Sequence, residues 1–190
     1  MRKTLVVGTI IALVTVAPLA AQDPGAGMAS MNGSWIVSVG GGVTLPVGDA
    51  SDIFKTGYHA NATIGYKPSA SRLSYMLDAG WHRAENKFLP GVDDEDEIDE
   101  IGHSNILTAF ARINYDLSPN LYFLGGIGVL RREFPVEGSN AIFTNTDAGV
   151  AGTIGLGLVV GKTLFVEGRL VNKFSDPSLM IVPVTIGVRF

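Results

Sequence analysis

The sequence predicts an all-β protein, an eight-stranded antiparallel β-barrel that crosses a membrane, and three observations carry that prediction. From Ser34 onward, apolar and polar residues alternate with period two in segment after segment, which marks strands with two unlike faces. The links between these segments alternate between long and short. Mean hydropathy is positive, +0.29, yet beyond residue 21 no uninterrupted apolar run is long enough for a membrane helix. An exported apolar chain without such a helix has a closed barrel as its main remaining way to cross a bilayer.

Export is read from the first residues. Arg2 and Lys3 give a basic start, Leu5 to Val16 an apolar middle, and Pro18, Ala20 and Ala21 a small-residue exit. These are the parts of a secretory signal peptide, so residues 1–21 are expected to be removed after Ala21. The apolar run is shorter than the roughly 20 residues that span a bilayer, which disfavours a retained anchor. Residues 22–33, QDPGAGMASMNG, are small and aperiodic and are expected to form a flexible tail, leaving 34–190 as the barrel domain. The chain has 0 Cys, which excludes disulfides, thiolate metal sites and an N-terminal lipid on Cys. Net charge is −4 and no basic block occurs, which argues against nucleic acid.

The strands follow in order. The first puts Trp35, Val37, Val39, Val43 and Leu45 on one face and Ser38, Gly40, Gly42 and Thr44 on the other. The second sets Tyr58, Ala60, Ala62, Ile64 and Tyr66 against His59, Asn61, Thr63, Gly65 and Lys67. Its tyrosines end the apolar face, as interfacial aromatic girdles would. The third sets Leu73, Tyr75, Leu77, Ala79 and Trp81 against Ser74, Met76, Asp78, Gly80 and His82. The fourth sets Leu107, Ala109, Ala111, Ile113 and Tyr115 against Thr108, Phe110, Arg112 and Asn114. The fifth, near Leu121 to Arg132, is apolar on both faces and has no readable phase. The sixth sets Ala148, Val150, Ile154, Leu156, Leu158 and Val160 against Thr153, Gly155 and Gly157. The seventh sets Leu164, Val166 and Leu170 against Glu167, Arg169 and Lys173. The last sets Val182, Val184, Ile186, Val188 and Phe190 against Pro183, Thr185, Gly187 and Arg189. Each is expected to have about the 9–11 residues of a tilted membrane strand.

Long links are VGDASDIFKTG, the stretch from about Glu85 to Ser104, and PVEGSNAIFTN; FSDPS is the shortest on that side. The intervening links PSASR, LSPN and VGKT are brief. Short periplasmic turns and longer extracellular loops have this asymmetry, and an even strand count then puts both termini on the periplasmic side. With the apolar face toward lipid, the lumen receives Lys67, Asp78, His82, Arg112, Glu167, Arg169 and Arg189. An eight-stranded lumen is just wide enough for side chains to fill, so a plug of paired charges is expected rather than a pore.

The run SVGGGVTLPVGD, followed after a short loop by TGYHANATIGYK, resembles the start of the small outer-membrane β-barrel domain family. That family groups OmpA-, OmpX- and OmpW-like eight-stranded proteins. The final VTIGVRF looks like the signal read by the barrel-assembly machinery, with Val182, Val184, Ile186, Val188 and Phe190 as its residues. The resemblance covers about residues 34–190 and implies architecture more than activity. No peptidoglycan-binding domain of the OmpA-like kind is expected after Phe190.

Few residues suggest chemistry. The acidic run Asp93, Asp94, Glu95, Asp96, Glu97, Asp99 and Glu100 could hold divalent cations, with Asp93, Asp94, Asp96 and Asp99 as candidate ligands. It lacks the glycine of a calcium loop, and a solvated acidic loop is the simpler reading. Of the 3 histidines, His103 adjoins Ser104, but neighbours on a strand point to opposite faces and cannot act as a nucleophile–base pair. The sequence therefore predicts a non-enzymatic barrel without a cofactor, with a structural, envelope-integrity or surface-interaction role through its loops. A narrow OmpW-like channel for small apolar molecules is the alternative, and a lipid A-modifying enzyme a more distant one. Expected partners are outer-membrane lipid, lipopolysaccharide and, during biogenesis, the barrel-assembly machinery; a monomer is expected.

Overall fold

The computed structural model describes residues 33–87, 102–138, 141–175 and 179–190. They form a closed antiparallel barrel whose strand order is β1-β2-β3-β4-β5-β6-β7-β8. The strands are β1 Gly33–Val47, β2 Gly57–Pro68, β3 Leu73–Glu85, β4 His103–Asp116, β5 Leu121–Gly138, β6 Ala141–Val160, β7 Leu164–Lys173 and β8 Leu179–Arg189. Closure runs from Ser38↔Arg189 to Val47↔Met180 between β1 and β8. The first and last strands begin and end at the same end of the barrel as the three short turns; we call this the turn end and the opposite one the loop end.

Alternation sets the two faces as the sequence predicts. In β3 the burial pattern alternates without a break from Leu73 to His82, with Leu77 59% exposed and Asp78 3%. The outer surface is a belt of Val, Leu and Ile ringed by aromatics. Trp35 and Tyr66 meet edge to face with centroids 5.7 Å apart near the turn end, and Tyr58 and Trp81 do so at 5.7 Å near the loop end. From Tyr58 to Tyr66 is ~26 Å along the strand at about 3.3 Å per residue, close to the height of a lipid-facing band, about 25 Å.

The fifth strand acquires a phase that its sequence withholds. Tyr122, Leu124 and Leu130 point inward and are buried, while Phe123, Ile127 and Val129 point outward. Register against β4 and β6 decides this, through Tyr122↔Asp116 and Tyr122↔Gly157. Both faces of β5 are apolar because part of the lumen is apolar too, so hydropathy alone carries no contrast there.

Strand length departs from expectation. Strands run from 10 residues in β7 to 20 in β6. The segment PVEGSNAIFTN, expected to be a loop, instead extends β5 and β6 as one hairpin out to Gly138↔Ala141. Its Phe, Val, Ile and Thr content favours a ladder, and the alternation test fails there because nothing requires one face of a projecting hairpin to be apolar. The link VGDASDIFKTG also gains structure. It contains one helical turn, α1 Ala50–Ile53, and Phe54 forms an isolated bridge to Asn86. Pro183 sits within β8, where β7 pairing skips from Gly168↔Val184 to Val171↔Ile181 while β1 pairing continues at Thr44↔Pro183. A residue without an N–H is thus tolerated inside the barrel by forgoing one side of the ladder.

Glycine at 157 answers to close packing. A Cβ there would overlap the Tyr122 ring, whereas at outward-facing Gly125 the nearest atom is 3.8 Å away. Gly157→Val is expected to lower stability by ~1–3 kcal/mol through overpacking, and Gly125→Ala to stay within about 1 kcal/mol of the parent. Urea unfolding of the two variants in lipid vesicles checks the contrast.

Candidate functional site in the lumen

The inward residues of the strands stack in layers. Nearest the middle is a quartet of charges that are distant in sequence but brought together by the register. Arg112 of β4 meets Glu167 of β7, Nη1 to Oε1, at 2.8 Å. Tyr122 of β5 donates its hydroxyl to Glu167 Oε2 at 2.9 Å. Arg169 of β7 meets Asp78 of β3, Nη1 to Oδ1, at 2.6 Å. Asp78 Oδ2 accepts from Thr63 at 2.9 Å and from the Asn61 amide at 3.3 Å. The Arg169 guanidinium also stands 6.0 Å from the Phe110 ring centroid. All four charged side chains are buried, and their charges cancel: two guanidiniums, two carboxylates. An unbalanced set would carry an uncompensated charge where water cannot screen it.

A histidine layer follows toward the loop end. Thr44 Oγ1 lies 3.1 Å from His59 Nδ1 and 2.9 Å from His82 Nδ1, and the two rings are 5.2 Å apart. His59 Nε2 reaches Thr185 Oγ1 at 2.8 Å. One hydroxyl has one hydrogen. Thr44 can therefore donate to only one Nδ1, and at least one of the two rings donates its Nδ1–H to the Thr44 oxygen.

Above the histidines the lumen turns apolar. Ile106, Leu130, Val171, Leu179 and Ile181 form one buried cluster with Phe54, which the β1–β2 link delivers over the barrel mouth. Phe54 is 1% exposed, and the Arg132 guanidinium lies 5.1 Å from its ring centroid. At this end Lys173 pairs with Asp147, and at the turn end Lys67 pairs with Asp116. A recess at the turn end, bordered by Asn114, Asp116 and Arg189, reaches in as far as Arg112 and Tyr122.

The lumen residues expected from sequence face inward as expected, and the structure supplies partners for Lys67, Asp78, His82, Arg112, Glu167 and Arg169. Missing from that expectation were Tyr122 and the whole apolar layer. A signal existed: Ile106 is in phase with inward Thr108, and Val171 with inward Arg169. The terminal row Val182, Val184, Ile186, Val188 lies outward on β8 with Phe190 continuing it, and Phe190 exchanges backbone hydrogen bonds with Val37. The candidate cation ligands Asp93, Asp94, Asp96 and Asp99 lie outside the described residues. His103 faces outward at the rim of β4 while Ser104 is buried and bonded to Asn86 at 2.7 Å, so the two do not cooperate.

No protein family matches the chain, and no curated protein matches it. Solved structures do. Ail, the attachment invasion locus protein of Yersinia pestis, in complex with the heparin analogue sucrose octasulfate, matches at TM-score 0.63 and 14% identity over 84% of this chain and 100% of that one. Neisserial surface protein A matches at TM-score 0.51 and 14% identity over 83% and 97%. The N-terminal β-barrel domain of OprF from Pseudomonas aeruginosa matches at 0.50 and 12% over 84% and 98%. The chain has the fold of the small eight-stranded outer-membrane barrels.

The quartet generates a direct test. Glu167→Gln leaves Arg112 buried without its carboxylate and is expected to cost ~3–5 kcal/mol. Combining Arg112→Met with Glu167→Leu removes both charges and should recover most of that loss, the remainder being the Tyr122 hydroxyl left unbonded, ~1–3 kcal/mol. Urea unfolding of the single and double variants measures both.

Proposed function

We propose that this chain is an integral outer-membrane barrel that acts as a structural or surface-interaction protein of the cell envelope, neither an enzyme nor a conduit. The observation that carries the reading is the closed lumen inside an apolar wall. Outward residues such as Trp35, Ile127 and Ile186 are more than 60% exposed, a cost in water that a bilayer converts into stabilisation. Inside, the charge quartet, the histidine layer and the Phe54 cap fill the cross-section in succession. A permeant molecule would have to break the paired charges and displace the apolar cluster. For an apolar solute the quartet is the barrier; for an ion, the apolar layer is.

In this reading residues 1–21 are a cleaved export signal, residues 22–33 a periplasmic tail, and both barrel termini are periplasmic. The turn end then faces the periplasm and the loop end the exterior, with lipopolysaccharide around it. Val182, Val184, Ile186, Val188 and Phe190 present the outward row that the assembly machinery would read. The protein works as a monomer, and what it touches, it touches with its loops. The enclosed histidines His59 and His82 serve packing and hydrogen bonding.

Planar-bilayer recording of the refolded protein tests the lumen: no steady single-channel current is expected, and a steady current contradicts the reading. Protease treatment of intact cells tests the orientation. Cleavage near Asp94 is expected; cutting at Pro119 with protection near Asp94 inverts it. Lipid A from cells with and without the protein should show the same acyl content by mass spectrometry.

A further inference from the structure

Around the loop end of the barrel, the place where the outer wall stops being apolar differs from strand to strand. On β1, β6, β7 and β8 the last described outward side chains there are neutral, as at Val47, Thr146, Asn172 and Met180. On β3 and β5 they are charged, as at Arg83, Arg131 and Glu133, with Asn105 of β4 between them. Trp81 is the last apolar residue on the outward face of β3 and Arg83 is the next. Directly opposite Arg83 stands Tyr58 of β2, whose ring lies edge-on to Trp81 at 5.7 Å. On its other side Arg83 faces Asn105 of β4, which faces Glu133 of β5.

Among the described residues the charges nearby are paired, with one exception. Glu85 pairs with Lys55 at 3.3 Å and Glu133 pairs with Arg131 at 2.5 Å. Arg83 has no ion pair and no side-chain hydrogen bond among the described residues. It is partly exposed and outward-facing, just past an aromatic pair of the kind found where hydrocarbon gives way to headgroups. A guanidinium keeps its charge at any physiological pH and offers a planar fork of donors that suits phosphate. Asn105 beside it adds a donor amide.

We propose that Arg83, with Asn105 beside it and the Trp81–Tyr58 pair beneath it, is a binding site for the phosphate of a phosphorylated lipid in the leaflet that surrounds the loop end. The acyl chains lie along the apolar wall of β2 to β4 below the site, and the phosphate meets Arg83. This inference rests on the membrane reading above and adds to it a fixed position on the wall and a headgroup chemistry. Among the described residues of the loop end Arg83 is the outward charge left unpartnered, which places the lipid at the β2–β4 side of the wall.

The chain contains 2 tryptophans, Trp35 near the turn end and Trp81 under the site, and these make the test. Two reporter chains are made, Trp35→Phe and Trp81→Phe, each refolded into phosphatidylcholine vesicles. A small, equal fraction of brominated phosphatidic acid or brominated phosphatidylcholine is added as quencher. Trp81 should be quenched more by the phosphatidic acid, with a local enrichment of about fivefold, what one basic residue contributes near an anionic surface. Trp35 should show no such preference. Arg83→Gln should bring the Trp81 ratio to that of Trp35, and Arg83→Lys should keep part of it.

Equal quenching of Trp81 by both lipids, or a preference that survives Arg83→Gln, overturns the site. Loss of the preference when inorganic phosphate is added at the millimolar level also overturns it, because the site would then recognise the free anion instead of the lipid. Failure of brominated phosphatidylcholine to quench either tryptophan is a different result: it overturns the membrane reading itself. The same phosphatidylcholine signal shows that each variant has inserted.

Discussion

The ladder between β1 and β8, from Ser38↔Arg189 to Val47↔Met180, is the interaction on which the remaining structure depends. Without it the sheet would end in two edges, each a row of unpaired N–H and C=O groups. In hydrocarbon such groups have no water to turn to, and only a closed sheet satisfies them all. Closure also fixes the interior. Eight strands enclose a space that side chains can just fill, so inward residues must pack against one another. Gly157 beneath the Tyr122 ring shows the fit: the strand carries no side chain where its neighbour's ring lies across it.

Once side chains fill the lumen, its charged groups must find partners among themselves. Arg112, Glu167, Arg169 and Asp78 come from three strands and cancel in charge. The two pairs are not equally satisfied. Both carboxylates accept on both oxygens, but Arg112 leaves only Nε without a protein partner whereas Arg169 leaves Nε and Nη2. Toward the loop end, the quartet gives way to the histidine layer and then to the apolar cluster under Phe54, with the Lys173–Asp147 pair at that end. That order makes the two ends of the barrel different. The turn end carries a narrow recess bordered by Asn114, Asp116 and Arg189, and at the loop end Phe54, a residue from outside the sheet, packs onto the apolar cluster.

How much of this was legible in the sequence depended on contrast between faces. Where one face is lipid-like and the other polar, as in β2, β3 and β4, period two reads the inward and outward sets correctly, including His59, Asp78, His82 and Arg112. Where the lumen is itself apolar, contrast vanishes: β5 shows no phase, and the Ile106–Leu130–Val171 layer is legible only because Ile106 shares the phase of Thr108 and Val171 that of Arg169. Pairing is a separate matter. That Arg112 meets Glu167 and Arg169 meets Asp78 depends on register and stagger around the whole barrel, to which local pattern is blind. Phe54 was hidden for a third reason: it reaches the lumen through a link, and no strand periodicity governs it. The functional residues proposed at the outer wall were missed because Arg83 reads as an ordinary solvated charge until its neighbours Tyr58 and Trp81 place it.

The central claim is a wall that faces lipid around a lumen that excludes water, and one measurement addresses both halves. The chain has 0 Cys, so single cysteines introduced in turn at Tyr75, Met76, Leu77, Asp78, Ala79 and Gly80 can each carry a nitroxide in the refolded, vesicle-inserted protein. Electron paramagnetic resonance then compares collision with oxygen, which concentrates in lipid, and with a water-soluble nickel chelate. Labels at 75, 77 and 79 are expected to meet oxygen and not the chelate, and those at 76, 78 and 80 to meet little of either. Chelate access at 76, 78 and 80 would contradict the closed lumen, and chelate access at 77 and 79 would contradict the lipid-facing wall.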